Sequence, residues 1–148
     1  MTQSLAIITV CIGIGLALEL ISQSLGSDFL SRFLAEDLIT LLIALMAINT
    51  TTISVIMTKI KEIYDKKGGC FLGTIKEMKK SIIEQVALII IATILLIIRE
   101  SKFVNTLNDS PIFFVDGLLL ALLVYAVYIL YDTACGIFVI LNFENGNN

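Results

Sequence analysis

The sequence predicts an all-α integral membrane protein of four transmembrane helices, with a basic cytoplasmic helical hairpin between the second and third. Three observations carry that prediction. Hydrophobic residues fill 57% of the 148 positions and mean hydropathy is +0.97, whereas a soluble chain is roughly 45–50% apolar. Charged residues make up 16%, against about 25% in soluble domains, too few for the surface that a chain of this size leaves outside its core. One Pro and nine Gly, with no sustained period-two alternation, leave little material for the strands and turns of a barrel. Helices remain as the way to satisfy a backbone in hydrocarbon.

Four apolar runs approach the ~20 residues that cross a bilayer, at 4–22, 37–58, 82–98 and 117–141. With no repeat or low-complexity tract, 1–148 reads as a single transmembrane domain. The first run lacks the charged start and small-residue cleavage site of a signal peptide, and is expected to stay as a span. Cys11, Gly15, Glu19 and Ser22 mark one face of it. Beyond it, Phe29, Leu30, Phe33 and Leu34 at helical spacing predict a short interfacial helix.

In the second span, Thr40, Ala44, Ala47, Thr51, Ser54 and Thr58 recur at alternating spacings of four and three. Small side chains let helix backbones approach, and hydroxyls bond across the contact, so this stripe predicts a packing seam. Asn49, Thr50 and Thr52 widen the polar zone at mid-span. The third span is nearly pure Ile and Leu and is expected to be the most lipid-exposed. Ser110 and Pro111 predict the start of a last helix. Asp116 is expected to cap the fourth span, which carries a stripe of Ala121, Tyr125, Tyr128, Asp132 and Cys135.

Orientation follows from the basic residues. Lys59, Lys61, Lys66, Lys67, Lys76, Lys79 and Lys80 all lie between the second and third spans. The positive-inside bias places that connection in the cytoplasm, and four crossings put both termini there as well. Lys59 to Asp65 continues the second helix without a breaker, Lys66 to Gly69 supplies a turn, and Thr74 with Glu77 fits a capping box opening the next helix. Seven lysines against Glu62, Asp65 and Glu77 leave a net charge of +4, suited to anionic lipid or an acidic cytosolic protein partner.

Chemistry of the soluble kind is excluded on residue type. There is no His, and Cys11, Cys70 and Cys135 are scattered, which argues against a metal site, a cofactor or a redox pair. No phosphate loop, Arg cluster or aromatic ladder points to an enzyme or to nucleic acid. Glu19, Glu84 and Asp132 sit at different depths, so no carboxylate pair for acid–base work is expected. An intramembrane proton or ion site would draw on Asp132, Glu19, Asn49, Thr51 and Tyr128, because ionisable groups in a span face a cavity or a partner. Asp132 lies nine residues, about 13 Å, from the inner end of its span. It is expected to face inward toward Asn49 or Thr51.

A chain of this length with four spans, whose second span runs straight into the basic segment Thr58, Lys59, Ile60, Lys61, Glu62 and Ile63, resembles small membrane components of bacterial anti-phage defence, of the RexB and KwaA kind. The similarity covers most of the chain in layout. It implies a membrane sensor, scaffold or depolarising effector, homo-oligomeric and paired with a cytosolic protein. Gly15 to Leu20 resembles, over one helix, the membrane Glu helix of small multidrug transporters, which implies proton-coupled or ion-conducting transport using Glu19 or Asp132. Three small or polar stripes exceed what one monomer must bury, and so predict a symmetric homo-oligomer.

Overall fold

Each apolar run continues as a helix beyond the limits its hydropathy sets, because the flanking residues contain few helix breakers. A computed structural model describes residues 2–67, 71–101 and 110–145. The elements are α1 (Thr2–Ser24), α2 (Phe29–Glu36), α3 (Leu38–Lys67), α4 (Leu72–Glu100) and α5 (Ser110–Asn145). Among the described residues 94% are helical and none is in a strand, so in each span the backbone closes its hydrogen bonds within its own helix. Four helices, all but α2, are long and apolar enough to cross a membrane.

The turn after α1 is made by Gly26, whose φ of +61° lies in the left-handed region that favours glycine. The Ser22 hydroxyl donates to the Ser27 carbonyl across it at 3.0 Å. α2 then lays its apolar face inward, with Leu34 fully buried and Leu30 and Phe33 packed beside it. Leu34 joins Leu38, Leu42, Leu88, Ala92, Leu119, Leu120, Ala126 and Ile129 in the main core.

Helix α5 is central and touches all four others. α1 is held chiefly along it, at a crossing so close that a Cβ added to Gly15 would meet the Ala121 backbone nitrogen at 2.6 Å. One added to Gly117 would sit 2.7 Å from Leu16 Cδ2. Without a hydrophobic drive between helices in lipid, such close approach gains dispersion contacts instead. The α1 stripe faces this contact, with Cys11, Gly15 and Glu19 buried.

Helix α3 turns a different stripe inward from the small one. Leu38, Leu42, Asn49, Ile53, Ile56, Ile60 and Ile63 are buried, whereas Thr40, Ala44, Ala47, Thr51, Ser54 and Thr58 are all exposed. The hydroxyls of Thr51, Ser54 and Thr58 donate back to the carbonyls of Ala47, Thr50 and Ser54 at 2.9–3.1 Å. They need no neighbour within the protomer. Larger side chains fill the space against α4 and α5, and Asn49 finds polar partners there, which decides the rotation.

Two expectations about helix starts are corrected. α4 begins at Leu72 with Phe71 in the cap position and no side-chain capping bond, so Thr74 and Glu77 lie inside the helix. Phe71 and Ile82 pack on a second cluster of Ile53, Ile56, Ile60 and Met78, which draws the start back. Likewise α5 begins at Ser110, which places Asp116 within the helix rather than at its cap. Nor is α4 singled out by exposure: its most apolar window is 17% buried, as is that of α1. Of the turn expected at Lys66 to Gly69, Lys66 and Lys67 instead close α3, because the run carries no helix breaker up to them, whereas Gly68, Gly69 and Cys70, with the side chains of Lys66 and Lys67, lie outside the described residues.

Candidate functional site

Polar side chains gather in three layers, the first where the ends of α1 and α4 meet the starts of α2 and α5. Arg99, in the last turn of α4, forms an ion pair with Asp116 of α5 through Nε and Oδ1. A second guanidinium nitrogen donates to Asp116 Oδ2 and to the Ser31 carbonyl, both at 3.2 Å. The Ser31 hydroxyl also donates to Asp116 Oδ2, at 3.4 Å. Asp116 is 1% exposed, so this bidentate fork ties α2, α4 and α5 in a dry setting. Glu19 of α1 is buried alongside, within the field of both charges, and its Oε2 has no hydrogen-bond partner. A recess of about 260 Å³ opens onto Glu19, Ser22, Ser27, Asp28, Ser31 and Asp116.

The second layer is neutral. Asn49 Nδ2 donates to Gln85 Oε1 at 2.9 Å and to Ser81 Oγ at 3.0 Å, and Ser81 Oγ lies 3.4 Å from Thr133 Oγ1. Asn49 and Gln85 are almost wholly buried, and Asn49 Oδ1 and Gln85 Nε2 are left without partners. The layer joins α3, α4 and α5. Gln85 and Arg99 are fourteen residues apart on α4, about 21 Å, with buried Leu88 and Ala92 between them. The first two layers are therefore separated by apolar core within the protomer.

The third layer is open. Glu77, Lys80, Ser81, Glu84, Tyr128 and Asp132 line a recess of about 290 Å³ between α4 and α5. Lys80 Nζ is 3.4 Å from Glu84 and 4.0 Å from Glu77, and the Tyr125 and Tyr128 rings stack at 6.3 Å. Asp132 is exposed. Its expected approach to Asn49 or Thr51 is corrected: Asn49 is taken by α4, Thr51 points outward, and the rotation that puts Ile129 and Thr133 against the bundle carries Asp132 to its rim. The recess also supplies a cation, Lys80.

A cleft of about 760 Å³ lies between the far ends of α3 and α4. Met57, Ile60, Tyr64, Phe71, Leu72 and Ile75 make its walls and Lys61 lies on its lining. Lys76 and Lys79 are exposed nearby, and Lys59 donates to Glu62 Oε2 at 2.7 Å.

Sequence reasoning missed Arg99, Asp116 and Gln85. The signal for Gln85 was present, a single carboxamide in an Ile/Leu run, which must find a polar partner in the membrane. Arg99 and Asp116 each had a local explanation as flanking or capping residues, which concealed their pairing. No group that could hold a metal ion occurs among the described residues. No family model matches the chain, and neither the curated proteins nor the solved structures contain a significant match.

Proposed function

We propose that the protein is a self-assembling inner-membrane subunit of a bacterial defence or stress system, a sensor, scaffold or depolarising effector that acts on a cytosolic protein through its lysine-rich end. The cleft between α3 and α4 carries this reading. α3 has 30 residues and α4 has 29, about 45 Å each, which exceeds the ~30 Å hydrocarbon core. The surplus holds the lysines, so an apolar cleft rimmed by positive charge stands at the membrane surface, cytoplasmic by the positive-inside rule. Apolar walls with a cationic rim suit an acidic protein segment with apolar anchors. The exposed small stripe on α3 supports self-assembly, since it offers close approach to a second copy.

Purification in mild detergent tests both halves. Reversing Lys61, Lys76 and Lys79 to Glu should abolish co-purification of the cytosolic partner while leaving the oligomer intact. Ala47→Leu with Thr51→Leu should reduce the oligomer. A monomeric wild type, or a partner retained by the reversed variant, refutes the corresponding half.

One observation favours a second reading, proton-coupled or ion-conducting transport: Glu19 is buried, has an unpartnered oxygen, and borders a polar recess. Apolar core between the layers argues against an open path in a single protomer, so conduction would need assembly or a conformational change. Proton flux in liposomes that Glu19→Gln abolishes would establish this reading, and absence of flux in wild type would remove it.

A further inference from the structure

A groove on the α1, α4 and α5 side joins two unlike halves. One half is the polar recess of Glu77, Lys80, Ser81, Glu84, Tyr128 and Asp132. The other is an apolar channel of about 360 Å³ lined by Ile8, Ile12, Ala87, Ile91, Leu118 and Leu122. Glu84 and Tyr125 border both, so the halves adjoin. The channel follows α4 for seven residues beyond Glu84, about 10 Å toward the bilayer centre. Its walls face lipid: Ile91 is 46% and Leu118 39% exposed.

We propose that this groove holds one zwitterionic aminophospholipid, with its ethanolamine head in the recess and an acyl chain along the channel. Charge selects the head. One lysine faces three carboxylates, Glu77, Glu84 and Asp132, so the recess offers more acceptors for a cation than its own lysine can use. A primary ammonium brings three N–H donors to them, and charge-assisted bonds of this kind are the strong ones. The phosphate of the same lipid is matched by the Lys80 ammonium, which is more than half exposed, and by the Tyr128 hydroxyl. A glycerol head would bring the same phosphate but no ammonium, leaving the surplus carboxylates without a cation, and a choline head has no N–H to donate. The channel's aliphatic walls then suit an acyl chain, whereas water would leave them unsolvated. This groove lies away from the α3–α4 cleft, and the proposal stands whatever that cleft binds.

The full chain, stripped of lipid in detergent, is offered equal mole fractions of phosphatidylethanolamine, phosphatidylglycerol and phosphatidylcholine. Lipid retained through gel filtration is counted by native mass spectrometry. Wild type should enrich the ethanolamine lipid by about tenfold, the factor one hydrogen bond to a charged group carries. Glu84→Gln with Asp132→Asn keeps side-chain size and should bring the three lipids to parity, and Ala87→Phe, which fills the channel, should lower retention of all three. The ratio is read within one sample and does not depend on yield. Equal retention by wild type overturns the proposal, as does an enrichment unchanged by Glu84→Gln with Asp132→Asn. So does a wild type that keeps no lipid while Ile91→Cys cross-links two copies, which would assign the groove to a second protomer.

Discussion

At the Arg99 end of the bundle one charge pair is shielded from solvent and ties three helices, whereas at the Lys80 end the charge pairs lie at the surface. Asp116 and Arg99 are 1% and 15% exposed in their side chains, while Lys59 and Glu62 are 44% and 47% exposed. The distances at the two ends are similar, so distance does not separate them. Dielectric does: removing one partner of a buried pair strands a charge that cannot reach water, but an exposed pair simply re-solvates. One end therefore locks the helices together, and the other holds its charges in contact with water.

The largest test of this contrast is Arg99→Met, which leaves Asp116 buried and unpaired and should cost about 3–5 kcal/mol. It is read as a fall in the unfolding midpoint in detergent. Adding Asp116→Leu should restore most of the loss, because the pair's desolvation disappears with it; a double variant as unstable as the single would show that the fork is not the source. Intermediate in size is Gln85→Leu, which removes one of the two acceptors of the buried Asn49 amide and should cost about 1–3 kcal/mol. Asn49→Leu in the same chain should add less than its own single effect, since both remove one interaction. The smallest effect belongs to Lys59→Gln, expected within about 0.5 kcal/mol and dependent on salt. A loss there comparable to that of Arg99→Met would collapse the contrast between the ends.

Most of the architecture was legible before any coordinates. Composition and run length set four membrane-spanning helices, because a backbone in hydrocarbon has few alternatives, and the pattern of Phe29, Leu30, Phe33 and Leu34 marked α2. The stripe of Cys11, Gly15 and Glu19 also marked a buried face, since small residues and a carboxylate rarely face lipid together. What periodicity left open was rotation. On α3 the small stripe and the Leu/Ile/Asn49 stripe share spacings of three, four or their sum, so sequence spacing alone serves both. The choice falls to what each face meets: Gln85 and Ser81 on α4 satisfy Asn49, and the bulkier residues fill the bundle. The same limit hid the fork, for Arg99 and Asp116 sit on different helices and each reads locally as a flanking or capping residue. It also misplaced Asp132, whose depth followed from counting residues along one helix, while its outward direction follows from how α5 packs against α3 and α4. Sequence alone determined which segments are helical and apolar enough to enter the membrane, because that is a property of each segment by itself. Tertiary structure decided which faces meet and which charges pair, because those depend on neighbours that no single segment contains.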